Sequence, residues 1–122
     1  MYYAYISSNG KGMYNMKNVQ NAIYSIVETR GKDCYCVLCH AIDVAISYQP
    51  NMPSLQVICN EVRIRTGKRT NEAVSRALNR AAKDIWQNGR RRELRVYWIE
   101  EAPTAKELIS LISAKLWADR QS

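Results

Sequence analysis

Apolar residues along this chain recur mostly at intervals of three and four, the spacing that lines one face of a helix. Val19, Ala22, Ile23, Ile26 and Val27 follow a capping Asn18 and predict a first helix that Gly31 stops. From about Tyr35 to Tyr48 the pattern widens. Leu38, Ile42, Tyr35, Ile46 and Ala45 form one side of a helical wheel, and Ala41, Val37, Val44 and Tyr48 extend it. So broad an apolar face predicts the central, buried helix of the fold. Pro50 and Pro53 break it, and Ser54 opens a third helix through Leu55, Ile58, Cys59 and Val62 to about Arg65, closed by Gly67.

The clearest periodicity runs from Asn71 to Asn88, with Thr70 or Asn71 as the N-cap and Gly89 in the position that accepts left-handed geometry. Val74, Ala77, Leu78, Ala81 and Ile85 make its apolar face, and Glu72, Ser75, Arg76, Asn79, Arg80, Lys83 and Gln87 occupy the opposite one. Residues 90 to 99 read as a basic connector whose last part is extended. Thr104 and Glu107 then form a capping box ahead of Leu108, Ile109, Leu111, Ile112, Leu116 and Trp117, predicting a closing helix. The expectation is an all-α fold, a compact bundle of about five to six helices containing a helix-turn-helix. Residues 1–17, rich in Gly, Asn, Ser and Tyr without helical periodicity, read as a flexible tail to a helical domain over residues 18–122.

Composition adds boundaries to this picture. At 122 residues and 47% hydrophobic, the chain suits one domain that needs no metal or disulfide to hold it. No stretch is apolar enough to span a bilayer, and the N-terminus lacks the layout of an export signal, so a cytoplasmic protein with Cys34, Cys36, Cys39 and Cys59 as reduced thiols is expected. Charge changes the picture more. Arg63 to Arg95 holds eleven of the 18 Lys and Arg against three acids, Glu72, Asp84 and Glu93, a surplus of eight positive charges on a chain of net +7. Charge concentrated in this way implies a polyanionic partner.

Helix three, a turn containing Gly67, and helix four have the layout of a helix-turn-helix, in which the second helix enters the major groove of DNA. Such a helix needs one face to dock and another to reach base edges. Arg76 suits bidentate contact to guanine and Asn79 to adenine, Ser75 lets the backbone approach, and Arg80 and Lys83 complete the reading and flanking set. Lys68, Arg69, Arg90, Arg91 and Arg92 bracket the helix where phosphates would run. Between residues 63 and 95 the only aromatic is Trp86, beside the apolar face, which favours a duplex over a single strand. A nonspecific nucleic-acid binder and an adaptor for an acidic protein partner are the alternatives that the same charge allows.

The chain resembles the C-terminal DNA-binding domain of the sporulation initiation response regulator of spore-forming Firmicutes, over roughly Val19 to Ser122. The resemblance rests on Tyr35-Cys-Val-Leu-Cys-His-Ala-Ile42, on Thr70-Asn-Glu-Ala-Val-Ser-Arg-Ala-Leu78 running to Trp86 and Gly89, and on Pro103-Thr-Ala-Lys-Glu-Leu-Ile109 through Ala114-Lys-Leu116. It implies a bacterial transcription regulator that binds specific duplex sites through the helix from Asn71 to Trp86, with protomers side by side on adjacent sites. Arg76 stands where the family carries an arginine on its reading face. Ser75 and Asn79 stand in place of Glu and Arg, which implies a different site. The first 17 residues are too few for a phosphoacceptor receiver domain, so control is expected from a separate sensor or regulatory protein.

Cys36-Val-Leu-Cys39-His40 has the C-x-x-C-H spacing of c-type haem attachment. Without an export signal, and with Val37 and Leu38 needed by the core helix, it reads instead as part of that helix. Zinc would require Cys34, Cys36, Cys39 and His40 to converge, with Cys59 joining them; the wheel puts Cys36 and His40 on the polar side and Cys39 on the apolar shoulder. No cofactor is therefore expected. With one His, no Gly-rich phosphate loop and no acidic pair assignable to a pocket, an enzyme is not expected either.

Overall fold

The computed structural model describes residues 16–121, and within them every regular element is a helix: α1 (Met16–Ile26), α2 (Asp33–Tyr48), α3 (Leu55–Thr66), α4 (Asn71–Asn88), α5 (Arg91–Val96) and α6 (Ala105–Gln121). Most of the predicted N-terminal tail lies outside the described residues. Met16 and Lys17, assigned to it by pattern, form the first turn of α1, so Asn18 sits inside the helix instead of capping it. That helix ends at Ile26, and Gly31 falls in the following loop with a φ of +85°.

α2 is the axis of the bundle, packed by α1, α3, α4 and α6. Its run from Cys34 to Ile46 is buried apart from Cys36 and the half-buried His40, as expected of an apolar face too wide for a surface helix. α3 and α4 both begin on side-chain caps: Ser54 Oγ accepts from Val57 N at 3.2 Å, and Thr70 Oγ1 from Ala73 N at 3.0 Å. Gly67 ends α3 in the left-handed region, φ 74°, with its N–H donating to the Arg63 carbonyl. The reciprocal capping box of α6 also forms: Glu107 N donates to Thr104 Oγ1 and Thr104 N to Glu107 Oε1, at 3.1 and 2.9 Å.

Two expectations fail after α4. Gly89 is not left-handed but extended, φ −75° and ψ 154°. Glycine is required there by proximity, because a Cβ would lie 2.4 Å from the Ile85 carbonyl oxygen and 2.7 Å from Ile26 Cγ2. The connector is also not extended at its end. Residues 91–96 form α5, and the period-two burial from Val96 to Ile99 arises from a turn: Trp98 N donates to Arg95 O and Ile99 N to Leu94 O, each at 3.0 Å. This is the Schellman closure of a helix, with Leu94 and Ile99 buried as its apolar contact. Its left-handed position, ordinarily glycine, is held by Trp98 at φ 59°.

Candidate nucleic-acid interface

α4 packs on α2, α3 and α6 through Val74, Ala77, Leu78, Ala81, Ala82 and Ile85, all buried. At 100° per residue the exposed Glu72, Arg76, Asn79, Arg80, Lys83 and Gln87 fall within about 100° of arc opposite them, along about 22 Å of helix. Four of the predicted reading residues, Arg76, Asn79, Arg80 and Lys83, are thus brought together on one outward stripe. None of the four has a hydrogen-bond or ion-pair partner among the described residues. Ser75 lies at the edge of the stripe and is half-buried.

The flanking bases divide. Arg69, in the turn before α4, and Arg92, in α5, are exposed and unpartnered among the described residues, as is Arg95, which sequence reasoning did not single out. Lys68 pairs with Asp33 at 2.9 Å, and Arg90 pairs with Glu28 at 3.4 Å while also donating to the Ser25 carbonyl at 2.8 Å. Arg91 folds back on α4: its Nη1 donates to the Trp86 carbonyl at 2.6 Å, and its guanidinium stacks on the Trp86 ring, 4.0 Å from the centroid. Lys68 and Arg90 therefore have their charge already answered, whereas Arg91 keeps its charge in a fixed position.

Behind the stripe, polar contacts set how α4 sits. Arg63 Nε donates to Asn71 Oδ1 at 3.0 Å and ties α3 to the first turn of α4. On its inner flank, Asp84 accepts from Tyr35 Oη, from Lys32 Nζ at 3.2 Å and from Asn88 Nδ2 at 2.8 Å. Burial opposes ionisation of Asp84, but the hydrogen bonds from Tyr35 and Lys32 outweigh it and hold the carboxyl below its ordinary value. Tyr35 is pushed up by its own burial and by bonding the carboxylate. Deeper still, Arg65 Nη1 reaches Asp43 Oδ2 at 2.7 Å and His40 Nδ1 at 3.3 Å, with the Arg65 side chain 2% exposed and Asp43 fully buried. Burial, with Arg65 second, lowers the His40 pKa to about 4, so the imidazole is neutral near pH 7 and accepts on Nδ1.

The cysteines take no part in this surface. Cys34, Cys39 and Cys59 are buried and reduced, and burial raises their pKa values, that of Cys39 to about 12. Among the described residues no three His, Cys, Asp or Glu side chains are placed to hold a metal ion. No helix among those residues is long and apolar enough to cross a membrane.

The Arg65–Asp43 pair escaped sequence reasoning because its partners lie on different helices with no local pattern to join them. Trp98 escaped it too. It is 66% exposed and lies three residues beyond the basic segment. No family model, curated protein or solved structure matches the chain.

Proposed function

We propose that this domain is a sequence-specific double-stranded DNA-binding regulator of transcription that docks α4 in the major groove. The carrying observation is the outward stripe of Arg76, Asn79, Arg80 and Lys83 on a helix whose opposite face is buried against three others. A groove about 12 Å wide admits one helix, and these side chain types match base edges there: arginine to guanine O6 and N7, asparagine to adenine N6 and N7. An asparagine exposed among three bases supports reading beside charge attraction, because its amide can bond adenine N6 and N7 as a pair.

Arg69 and Arg92 supply the phosphate contacts most economically, since Lys68 and Arg90 would have to leave ion pairs to do the same. The ties from Arg63 to Asn71 and from Tyr35 and Lys32 to Asp84 keep the helix rigid on its support, which reduces the ordering cost of docking. The likeness to the sporulation regulator's effector domain points the same way. Selection of sites from random duplexes tests the proposal: a short enriched motif is expected, and enrichment of no sequence would leave only the nonspecific reading.

A further inference from the structure

We propose that the groove between the α5–α6 loop and the first turns of α6 docks a cationic, extended segment of a protein partner, which lays a Lys or Arg side chain on Trp98. This surface adjoins the α4 stripe, since Ala102 and Pro103 also border Asn79 and Lys83, but no residue of the stripe lines it, so the inference stands whether or not the DNA reading holds.

Trp98 is not needed by the turn that holds it. The turn after α5 closes through backbone hydrogen bonds and the buried Leu94 and Ile99, none of which needs an indole. A residue with a Cβ at φ 59° is strained where glycine is not, and the ring that takes this position is 66% exposed beside an exposed Val96. A large aromatic that is strained, solvent-facing and unnecessary to its own turn has the properties of a contact residue, and tryptophan is the side chain most enriched at binding hot spots.

Charge and shape mark the same place. The groove beside the ring has a volume of about 530 Å³, with Pro103 and Leu111 as its apolar lining. Its rim carries Glu100, Glu101 and Glu107 against a single base, Lys106. Glu100 and Glu101 are exposed and have no ion-pair partner among the described residues; Glu107 has one oxygen engaged by Thr104 N. On a chain of net +7 this is a local negative field around an aromatic face. It repels a phosphate backbone and favours a cation, which the face of an indole attracts in its own right. An extended segment with alternating basic and apolar residues fits.

The probe is a fluorescein-labelled hexapeptide of alternating Lys and Leu, with an Asp and Leu peptide as control, titrated by fluorescence anisotropy against the full chain. The expected result is saturable binding of the Lys peptide only, weakened tenfold or more both by Trp98→Gly and by the double change Glu100→Gln with Glu101→Gln. Trp98→Gly is expected to unfold at the same or a higher temperature and to leave duplex DNA binding unchanged. Equal peptide affinity for the native chain and either variant would overturn the proposal, as would binding of the Asp peptide. Self-association of the chain alone, abolished by Trp98→Gly in sedimentation, would give the groove to a second copy and overturn it as well. The double glutamate variant lies on the exposed rim and keeps the test decisive if Trp98→Gly melts lower.

Discussion

Arg65 and Arg76 belong to one basic segment, eleven residues apart, yet their surroundings are opposite. Arg65 is buried between α2 and α3 against Asp43 and His40; Arg76 projects from α4 with no partner among the described residues. Of the eleven bases from Arg63 to Arg95, five are bonded within the domain: Arg63, Arg65, Lys68, Arg90 and Arg91. The other six, Arg69, Arg76, Arg80, Lys83, Arg92 and Arg95, are exposed without such bonds among the described residues. The surplus of charge is therefore two populations. One is bonded within the domain, and the other projects into solvent, where the proposed duplex would meet it.

The largest effect comes from the buried side of that division. Asp43→Ala leaves the Arg65 guanidinium without its carboxylate in a site closed to water, and a loss of about 3–5 kcal/mol in urea unfolding is expected. Replacing both partners, Asp43→Val with Arg65→Met, removes both buried charges together and is expected to cost far less than the single change. Equal losses from the single and double variants would show that the pair is not what joins α2 to α3.

The two sides of the comparison were not equally legible in the sequence. Signals carried by neighbours along the chain came through: Ser54, Thr70 and the Thr104–Glu107 box cap the helices they were expected to cap, and the wheel of α4 separates its buried and exposed residues correctly. What depends on distant parts of the chain did not. Gly89 looked like a left-handed stop but is extended, where a Cβ would meet the Ile85 carbonyl of its own helix and the Ile26 side chain of α1. Val96, Tyr97, Trp98 and Ile99 looked like the extended end of the connector, because β-branched and aromatic side chains favour strands, yet they close α5 in a left-handed turn. Charge type alone could not separate Arg65 from Arg76 either, since burial is decided by the helix opposite. The outward stripe of Arg76, Asn79, Arg80 and Lys83 was legible because α4 is long and amphipathic; the state of the flanking bases was less so, because ion pairs to Asp33 and Glu28 cross between elements.

A pH titration sharpens the buried side further. The folded His40 pKa of about 4 lies below the ordinary value of 6.5, so the unfolded chain binds more protons in the interval between. This contribution to stability is full above about pH 6.5 and is lost as pH falls through 4, amounting to about 3 kcal/mol. His40→Gln keeps a side chain able to accept from Arg65 and is expected to flatten the unfolding profile over that interval. A native-like slope in the variant would assign the acid sensitivity to other groups.

On the exposed side, effects should appear in binding and not in folding. Arg76→Ala is expected to unfold as the native chain does and to lose roughly 1–3 kcal/mol on the selected duplex, with discrimination relaxed at one base position. A uniform loss on all duplexes would move Arg76 from reading to attraction and favour the nonspecific alternative.

The smallest expected effect draws the line between the two populations most finely. Arg92 and Lys68 are both basic and both near an end of α4, but only Lys68 is ion-paired, to Asp33 at 2.9 Å. A base that neutralises a phosphate releases a counterion, and each such contact contributes about −0.9 to the slope of log affinity against log salt. Arg92→Ala is expected to make that slope shallower by about this amount, at a cost of roughly 1 kcal/mol or less on every duplex alike. Lys68→Ala should leave the slope nearly unchanged, because a lysine that stays with Asp33 releases nothing when DNA arrives. Equal slope changes in the two variants would mean that the ion pair opens on DNA, and that the boundary between internal and partner-facing bases is set by the duplex.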